Sequence, residues 1–374
     1  MLRVYLDHAA SSPMPLTVVA AMAEVWQEAG NPSSLHTAGR RMRRILEQAR
    51  ESVAADLGAH PLEVVFCSGG TEANNIALLG ATRQGGEVVV SAVEHPSVAG
   101  VREVLGNRVG VAAVDAEGRV DAATLRSALT AATRLVSVMW VNNETGVVQP
   151  VEQLVAVARS AGMWSHSDAV QAVGHVPVDF TASGLDLLSV SAHKLGGPVG
   201  IGALLVRRGV SLVAPGFGGG QEARLRSGTV AVGLAVGFAA ALREAVGRLG
   251  AEANRLASLG ESLRAGLAGI PGVRVNSVGA TSPAIVHVRV AGTRADDVLM
   301  LLDSAGIDCS TGSACAAGVH QPSEVMLAMG YSEAEAAAGL RFSFGPTTTE
   351  ADVAALLAAL PAAVGRARSA YGQA

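Results

Sequence analysis

The chain has 374 residues, 49% of them hydrophobic and 16% charged, and a formal net charge of −4 at pH 7. This composition predicts a globular protein with a large apolar core and room for two domains. The lack of a basic excess argues against direct nucleic-acid binding, and the longest uncharged apolar run, residues 227–242, is too short and too glycine-rich for a membrane span.

The cysteines and the N-terminal segment indicate the compartment. Cys67, Cys309 and Cys315 are too few for a disulfide framework and lack the spacing of a metal site. The first 15 residues have neither the basic start nor the apolar core of a secretion signal. We therefore expect a cytoplasmic protein with free thiols, no bound metal and no membrane association.

From about residue 60, short apolar runs alternate with longer amphipathic segments. Helices are predicted at 71–82, 121–132 and 151–161. Strands are predicted at 63–67, 87–92, 108–114, 134–141, 163–169, 187–192 and 202–207. Nearly continuous apolar strands that alternate with helices are typical of an α/β fold with a mostly parallel sheet, here of seven strands.

After about residue 230 the pattern changes. Alanine- and leucine-rich helices over 231–269 precede strands at 273–278, 284–290 and 339–344, with helices near 295–305 and 350–370. We expect a smaller α+β domain, against which the N-terminal segment packs. The predicted boundaries are 15–245 for the large domain, and 1–14 with 246–374 for the small one.

The segment SVSAHKLGGPVG (189–200) contains Lys194, the single lysine among 28 lysines and arginines. At a solvated position, drift would explain one retained lysine. Lys194, however, follows an apolar run, adjoins His193 and precedes glycines. An amine, unlike a guanidinium, can lose its proton and attack a carbonyl to form a Schiff base, so a chemical role competes with drift.

Polar residues follow several predicted strands where a ligand of an open α/β sheet binds. A cofactor across these ends meets Asn143, Asp168, Gln171, His193 and Lys194. Each residue alone could be a helix cap or a strand-end hydrogen bond. Together they suit pyridoxal phosphate, whose ring nitrogen pairs with an aspartate and whose aldehyde bonds to a lysine.

Two further segments at strand ends suit the same cofactor. CSGGTEANN (67–75) opens a helix, so Gly69, Gly70 and Thr71 could present N–H groups to a phosphate, although an ordinary helix start looks alike. His95, before Pro96, could stack on a pyridine ring or move a proton, or it could be a capping or buried neutral histidine.

Three other positions remain ambiguous from their neighbours alone. Thr229 ends the glycine-rich stretch 218–229, which is either a phosphate-binding loop or a flexible linker. Cys315 lies among small residues, which leave a thiol accessible, but an inert thiol is slightly favoured on this feature. Arg341 suits either a substrate carboxylate or a salt bridge between domains.

Taken in order, the motifs resemble those of cysteine desulfurases of the NifS/IscS type, which are fold-type I pyridoxal-phosphate enzymes of aminotransferase class V. The resemblance runs nearly end to end. It rests on YLDHAASSP (5–13), GNPSSLHTAGR (30–40), SGGTEANN (68–75), EHPSV (94–98), VNNETGVVQP (141–150), DAVQAVG (168–174), SAHKLGGPVGIG (191–202), GGGQEARLRSGT (218–229), STGSACAAG (310–318) and RFSFGPTTTE (341–350). TGSAC is similar to the first of the two desulfurase groups.

The resemblance implies a role for each candidate residue. Lys194 holds the cofactor's aldehyde as an imine, Asp168 pairs with the ring nitrogen, Gln171 with the phenolic oxygen, and His95 stacks on the ring. The residues implied to bind the phosphate are Gly70, Thr71, Ser191, His193 and, from the partner of a homodimer, Thr229. Those implied to hold the substrate L-cysteine are Asn143, also beside the cofactor, and Arg341, while Cys315 attacks the substrate sulfur.

The implied activity converts L-cysteine to L-alanine and a Cys315 persulfide. The sulfur then passes to an acceptor protein, either an iron–sulfur scaffold or an enzyme of tRNA or cofactor thiolation. A selenocysteine lyase or a class V aminotransferase on the same scaffold stays open, since an aminotransferase does not use Cys315. A sulfur-transfer scaffold without catalysis is a third reading, against which the retained Lys194 argues.

Overall fold

The computed structural model describes residues 3–312 and 321–371. In chain order these residues form β1 (Val4–Tyr5), α1 (Leu16–Trp26), α2 (Thr37–Asp56), β2 (Val64–Cys67), α3 (Gly70–Thr82), β3 (Glu87–Ser91), α4 (Pro96–Ala99), α5 (Arg102–Leu105), β4 (Val109–Ala112), α6 (Ala122–Ala128), β5 (Thr133–Ser137), α7 (Val151–Ser160), β6 (Trp164–Asp168), α8 (Phe180–Ser183), β7 (Leu187–Ser191), β8 (Gly202–Val206), α9 (Val232–Gly247), α10 (Leu249–Leu267), β9 (Val273–Val275), β10 (Ile285–Val290), α11 (Ala295–Ser304), β11 (Ile307–Asp308), α12 (Glu324–Ala328), α13 (Glu333–Ala336), β12 (Gly339–Ser343) and α14 (Glu350–Tyr371).

The seven strands predicted before residue 210 form one sheet in the order β2-β8-β7-β6-β5-β3-β4. The strands from β7 to β4 are parallel, and β8 runs antiparallel to both of its neighbours. Helices α2 and α9 pack on one face and α3 on the other, so β2, β7 and much of β3 are buried on both faces. This burial explains why the strands read as continuous apolar runs, and the predicted α/β class is confirmed.

One predicted helix is shorter than expected. The segment 121–132 is helical only to Ala128. Beyond it, the Thr130 N–H donates to the Thr133 hydroxyl at 2.9 Å, and the Thr133 N–H donates back to the Thr130 carbonyl at 3.1 Å. Such local bonds from threonine hydroxyls compete with helical ones, and they end α6 before β5 begins.

A second, antiparallel sheet has the order β12-β10-β9 and its own apolar core with α10, α11 and α14. β1 pairs in parallel with β11, so the N-terminal segment packs beside this sheet, as expected. Helix α14 over 350–370 is long and apolar enough to cross a membrane by length and composition. Leu356, Leu360 and Val364 of α14 are nevertheless buried in the second core.

A buried ion pair ties the segment between β8 and α9 to the large sheet. Arg50 of α2 donates to both carboxylate oxygens of Glu222, at 2.8 and 2.7 Å, and to the Val64 carbonyl at 2.7 Å. Glu222 also accepts the Phe66 N–H at 2.9 Å. The first part of the segment that leads to Thr229 is thereby held against the start of β2.

Candidate active site

The carboxyl ends of the parallel strands bring four of the predicted residues to one edge of the sheet. Asp168 is the last residue of β6, and Lys194 lies in a short 3-10 helix, Ala192–Leu195, directly after β7. Asn143 follows β5, and His95 follows β3. The charges of Asp168 and Lys194 both act on the pKa of His95, as expected of neighbours at this edge.

Lys194 is held by the N-terminal segment. Its Nζ donates to the carbonyl oxygens of Ala9 at 2.7 Å and Ala10 at 2.9 Å. Burial and, to a smaller extent, the nearby positive charge of Arg341 together lower the pKa of Lys194 to about 8, while Asp7 and Asp168 act in the opposite direction. A lysine with this pKa has a much larger neutral, nucleophilic fraction near neutral pH than an exposed one.

Asp168 is a buried carboxylate of fixed orientation. Its Oδ2 accepts a hydrogen bond from Asn74 Nδ2 at 2.7 Å, and its Oδ1 accepts the Val170 N–H at 2.9 Å. Asn74, in the first half of α3, also donates to the Ser97 hydroxyl at 2.8 Å. These bonds hold both carboxylate oxygens in one orientation, in which a carboxylate can pair with a protonated ring nitrogen.

His95 caps the short helix α4. Its Nδ1 accepts the Ser97 N–H at 3.1 Å and lies 2.8 Å from the Ser97 hydroxyl. Burial lowers the pKa of His95, so the ring is neutral near pH 7, and because Nδ1 accepts a backbone N–H, Nε2 carries the proton. The capping interpretation is therefore confirmed, and it leaves the ring oriented at the site.

The glycine turn forms a tight cradle beside Ser191. Helix α3 begins after Gly69, which has a φ of +152° and provides no side-chain cap. A Cβ at Gly202 would lie 2.8 Å from the Gly69 Cα, so the turn and β8 approach too closely for side chains. The Ser191 hydroxyl is buried and without a partner among the described residues. Free helix N–H groups beside a buried hydroxyl suit an anion, and Thr71 in the first turn is exposed.

The residues at this edge fit pyridoxal phosphate. The cradle suits its phosphate, Asp168 its ring nitrogen and Lys194 its aldehyde. Burial lowers the pKa of His193 to about 4, so its ring is neutral near pH 7. Of the described side-chain atoms, Asn143 Oδ1 is also buried and without a partner. Unpaired buried polar groups of this kind are costly unless a ligand pairs with them.

Arg341 connects the small sheet to this edge. From β12, its guanidinium donates to the Asn143 carbonyl at 2.8 Å and to Asp7 at 2.7 Å. Arg341 and Asp7 therefore form a salt bridge, but both residues belong to the predicted small domain, so this is not the salt bridge between domains that was considered from the sequence. Gln171 is close by, and its Nε2 donates to the Ala9 carbonyl at 2.8 Å.

Two predicted residues are not brought to this edge by the described coordinates. Cys315 lies outside the described residues. Thr229 is exposed in the segment between β8 and α9. Of the other two thiols, Cys67 is buried as predicted, whereas Cys309 is only half-buried against the second core. Burial raises the pKa of each to about 12.

The residues that orient the site were not assigned from the sequence. Asn74 fixes Asp168, Ser97 connects Asn74 to His95, and Asp7 pairs with Arg341. Asn74 carries a readable signal, because it is a polar residue on the helix face that otherwise presents alanine and isoleucine to the sheet. Asp7 carries no such signal because its partner Arg341 is distant in sequence. Ser97 carries none because its contact with His95 depends on the cap of α4.

Comparisons with known proteins agree with this chemistry. A family model described as aminotransferase class-V matches residues 4–356. An IscS-like cysteine desulfurase of Mycobacterium tuberculosis is 48% identical to this chain, with 98% of this chain and 97% of that protein covered. A cysteine desulfurase IscS of Dictyoglomus turgidum is 37% identical, with 94% and 91% covered.

The fold agrees as well. A NifS-like protein from Rickettsia africae superposes with a TM-score of 0.90 at 30% identity, covering 97% of this chain and 99% of that one. The cysteine desulfurase CsdA of Escherichia coli superposes with a TM-score of 0.82 at 26% identity, with 98% and 95% covered. The chain therefore belongs to the class-V aminotransferase family of pyridoxal-phosphate enzymes, among the cysteine desulfurases.

Proposed function

We propose that this enzyme converts L-cysteine to L-alanine and leaves the sulfur on Cys315 as a persulfide. The observation that supports it most is the single lysine of the chain, half-buried with a pKa lowered to about 8, beside Asp168 and the neutral ring of His95. That arrangement suits an amine that takes and gives a proton at the substrate's α-carbon.

When bound, pyridoxal phosphate supplies an electron sink for the carbanion that forms at the substrate's α-carbon. Asp168 keeps a proton on the ring nitrogen, and its bonds to Asn74 and Val170 hold it in place. Lys194, as the neutral amine, removes the α-proton of L-cysteine and returns a proton later. We propose that Gly70, Thr71, Ser191 and His193 hold the phosphate, that Gln171 meets the phenolic oxygen and that His95 stacks on the ring.

Arg341 is the group proposed to bind the substrate carboxylate, with Asn143 beside it. Arg341 is only 4% exposed, and its Nε has no partner among the described residues. The side-chain Oδ1 of Asn143 is likewise unpaired there. A carboxylate meets an arginine through two parallel N–H bonds, so the unpaired Nε supports this role.

In the sulfur-transfer step the Cys315 thiolate attacks the sulfur of the bound substrate. The new S–S bond forms as the Cβ–S bond breaks, and its electron pair stays on the three-carbon fragment. That fragment takes up protons and leaves as L-alanine, so that L-cysteine and a thiol become L-alanine and a persulfide. No external oxidant or reductant is consumed.

The remaining roles are part of the same proposal. Thr229, exposed and beyond the Glu222 anchor, reaches the phosphate of the partner's site in a homodimer. An acceptor protein, either an iron–sulfur scaffold or a thiolation enzyme, takes the sulfur in the cytoplasm. The chain divides into a large domain over 15–245 and a small one made of 1–14 and 246–374.

The test is the product of L-cysteine with the purified, cofactor-loaded protein, with intact mass measured before reduction. We expect L-alanine and one added sulfur that maps to Cys315. The added sulfur is lost in Cys315→Ala and kept in the matched Cys309→Ala. Nitrogen transfer that persists in Cys315→Ala would instead support an aminotransferase, and turnover of selenocysteine alone a lyase.

A further inference from the structure

The turn that carries Asn143 holds its shape through Asn142. The Asn142 Oδ1 accepts from the Glu144 N–H at 3.0 Å and from the N–H and hydroxyl of Thr145 at 2.8 and 3.0 Å. Its Nδ2 donates to the Val93 carbonyl at 2.9 Å. None of these bonds uses the side chain of Glu144, which is therefore free to serve another purpose.

That side chain is a buried carboxyl directed toward α12. Glu144 is 6% exposed, and its Oε2 accepts a hydrogen bond from the Ser323 hydroxyl at 2.5 Å. The same Ser323 oxygen accepts the Met326 N–H at 3.1 Å and so caps α12. One hydroxyl thus joins the start of α12 to the turn beside Asn143.

The same carboxyl side chain also packs against Gly312. Gly312 has a φ of +84°, and a Cβ there would lie 3.3 Å from Glu144 Cγ. The Gly312 N–H donates to the Ser310 hydroxyl at 3.0 Å. Ser310 and Arg341 exchange backbone hydrogen bonds at 2.7 and 3.2 Å. The chain before residue 313 is therefore fixed between Glu144 and the strand of Arg341.

Gly312 and Ser323 lie on either side of Cys315 in the sequence, and both contact Glu144. We propose that Glu144 is a positioning residue for sulfur transfer, because it connects Gly312 and Ser323, the described residues on either side of Cys315, to the turn that carries Asn143. The inference rests on the proposed function and assigns the carboxyl no contact with the cofactor or the reacting atoms.

The conservative replacement is Glu144→Gln. Burial raises the pKa of Glu144 to about 7, with the Ser323 hydroxyl and Arg341 acting to lower it and Glu324 to raise it. Glutamine has the same length and keeps a carbonyl oxygen that can accept from the Ser323 hydroxyl. Glu144→Ala removes both the acceptor and the packing against Gly312.

The experiment compares the cofactor-loaded wild type with Glu144→Ala, Glu144→Gln and Ser323→Ala. The matched control is Ser332→Ala, which removes the cap of the neighbouring helix α13 without touching Glu144. One measurement is kcat and KM for alanine formation from L-cysteine. The other is the rate at which iodoacetamide alkylates Cys315 without substrate, mapped by mass spectrometry.

For Glu144→Ala we expect kcat to fall by about 10- to 100-fold, since a misplacement near 1 Å costs about this much. The KM for L-cysteine stays within about twofold, because substrate binding is left intact. Alkylation of Cys315 becomes faster. Ser323→Ala changes kcat and alkylation in the same directions, Glu144→Gln recovers most of kcat, and Ser332→Ala behaves as the wild type.

Three results would overturn the inference: an unchanged kcat in Glu144→Ala, a Glu144→Gln no better than Glu144→Ala, or an equal loss in Ser332→Ala. If the wild type forms no L-alanine, the proposed function is wrong. In that case the alkylation rates still test the positioning role of Glu144, which is rejected if Cys315 is alkylated at the same rate in all variants. If Glu144→Ala does not fold, Glu144→Gln and Ser323→Ala still decide.

Discussion

Removing Arg50 should destabilise the protein strongly and loosen the segment that leads to Thr229. Arg50 makes a two-pronged bond to Glu222, whose side chain is 1% exposed, and stacks on the Phe66 ring with its guanidinium carbon 4.8 Å from the ring centre. In Arg50→Met the Glu222 carboxylate stays buried with one remaining donor, the Phe66 N–H. An uncompensated buried charge is the cause of the expected loss.

The magnitude follows from which groups lose their partners. Breaking a buried ion pair by removing one member costs about 3–5 kcal/mol of unfolding free energy. Arg50→Met and Arg50→Met/Glu222→Leu both also lose the bond from Arg50 to the Val64 carbonyl. In the double variant no charge of this pair remains buried, and the additional loss is the acceptor for the Phe66 N–H, which costs about 1–3 kcal/mol. The double variant should therefore be more stable than the single one. The unfolding free energy of Arg50→Lys should lie between those of the single and the double variant, because an ammonium cannot form the two parallel N–H bonds that a guanidinium makes to a carboxylate.

The assay is urea denaturation of the cofactor-loaded protein, followed by far-ultraviolet circular dichroism. The matched control is Arg243→Met, since the exposed Arg243 pairs with the half-buried Asp56 at 3.8 Å, a longer and more solvated contact than that of Arg50 with Glu222. That pair should contribute less than about 1 kcal/mol. Pyridoxal phosphate binding should weaken in Arg50→Met and not in Arg243→Met, because only the former frees the segment of Thr229.

If Arg50→Met lowers the unfolding free energy by less than about 1 kcal/mol, the reasoning is contradicted, because a loss of that size is typical of an exposed ion pair. So would a double variant that is less stable than Arg50→Met. In either case the bond between Arg50 and Glu222 would not be what holds the segment.

Three further outcomes follow from the site and the sheet. Uptake of pyridoxal phosphate by the apoenzyme can be trapped with borohydride and mapped to Lys194. Its rate should rise up to about pH 8 and then level off, because the neutral amine is the reacting form. A rate that keeps rising up to the pKa of an ordinary lysine would refute this. Asn74→Ala removes a bond to the charged Asp168, so the dissociation constant of the cofactor, measured by absorbance titration, should rise about 10- to 100-fold. Burial lowers the pKa of His166, bonded to Ser137 and Ser189, to about 3. Its folded pKa is below the unfolded value, so its contribution to stability is complete above about pH 6.5 and declines as the pH falls toward 3. Between pH 4 and 6, the unfolding free energy measured by urea denaturation should therefore change less steeply with pH in His166→Gln than in the wild type, by up to about 1.4 kcal/mol per pH unit.

The large sheet could be predicted from the sequence because its strands are buried on both faces. All seven apolar runs became strands of that sheet. The antiparallel direction of β8 could not be predicted, since an apolar run such as Gly202–Val206 reads the same in both directions. It depends on how the chain turns after Lys194, where Gly196 adopts a left-handed conformation with a φ of +87°.

The site residues that follow strands could be predicted because parallel strands carry their successors to one edge. Asp168, Lys194 and Asn143 were found in this way. Asp7 could not be, because its contact with Arg341 spans 334 residues and joins two separate sheets. Glu144 was quoted only as part of a motif, since its partners Gly312 and Ser323 are also distant in the chain, Ser323 by 179 residues.

The N-terminal strand has a consequence for how the protein is made. Residues 4–10 are translated well before their partners, since Val4 pairs with Ile307, Asp7 with Arg341 and Ala9 with Lys194. At about 5–20 residues per second, roughly 15–70 s separate the emergence of Asp7 from that of Arg341. The large sheet can assemble on the ribosome during this interval, but Lys194 acquires its neighbour Arg341 from the second sheet only after residue 341 has emerged. Completion of the surroundings of Lys194 is therefore a late event of folding, set by contacts of long sequence separation.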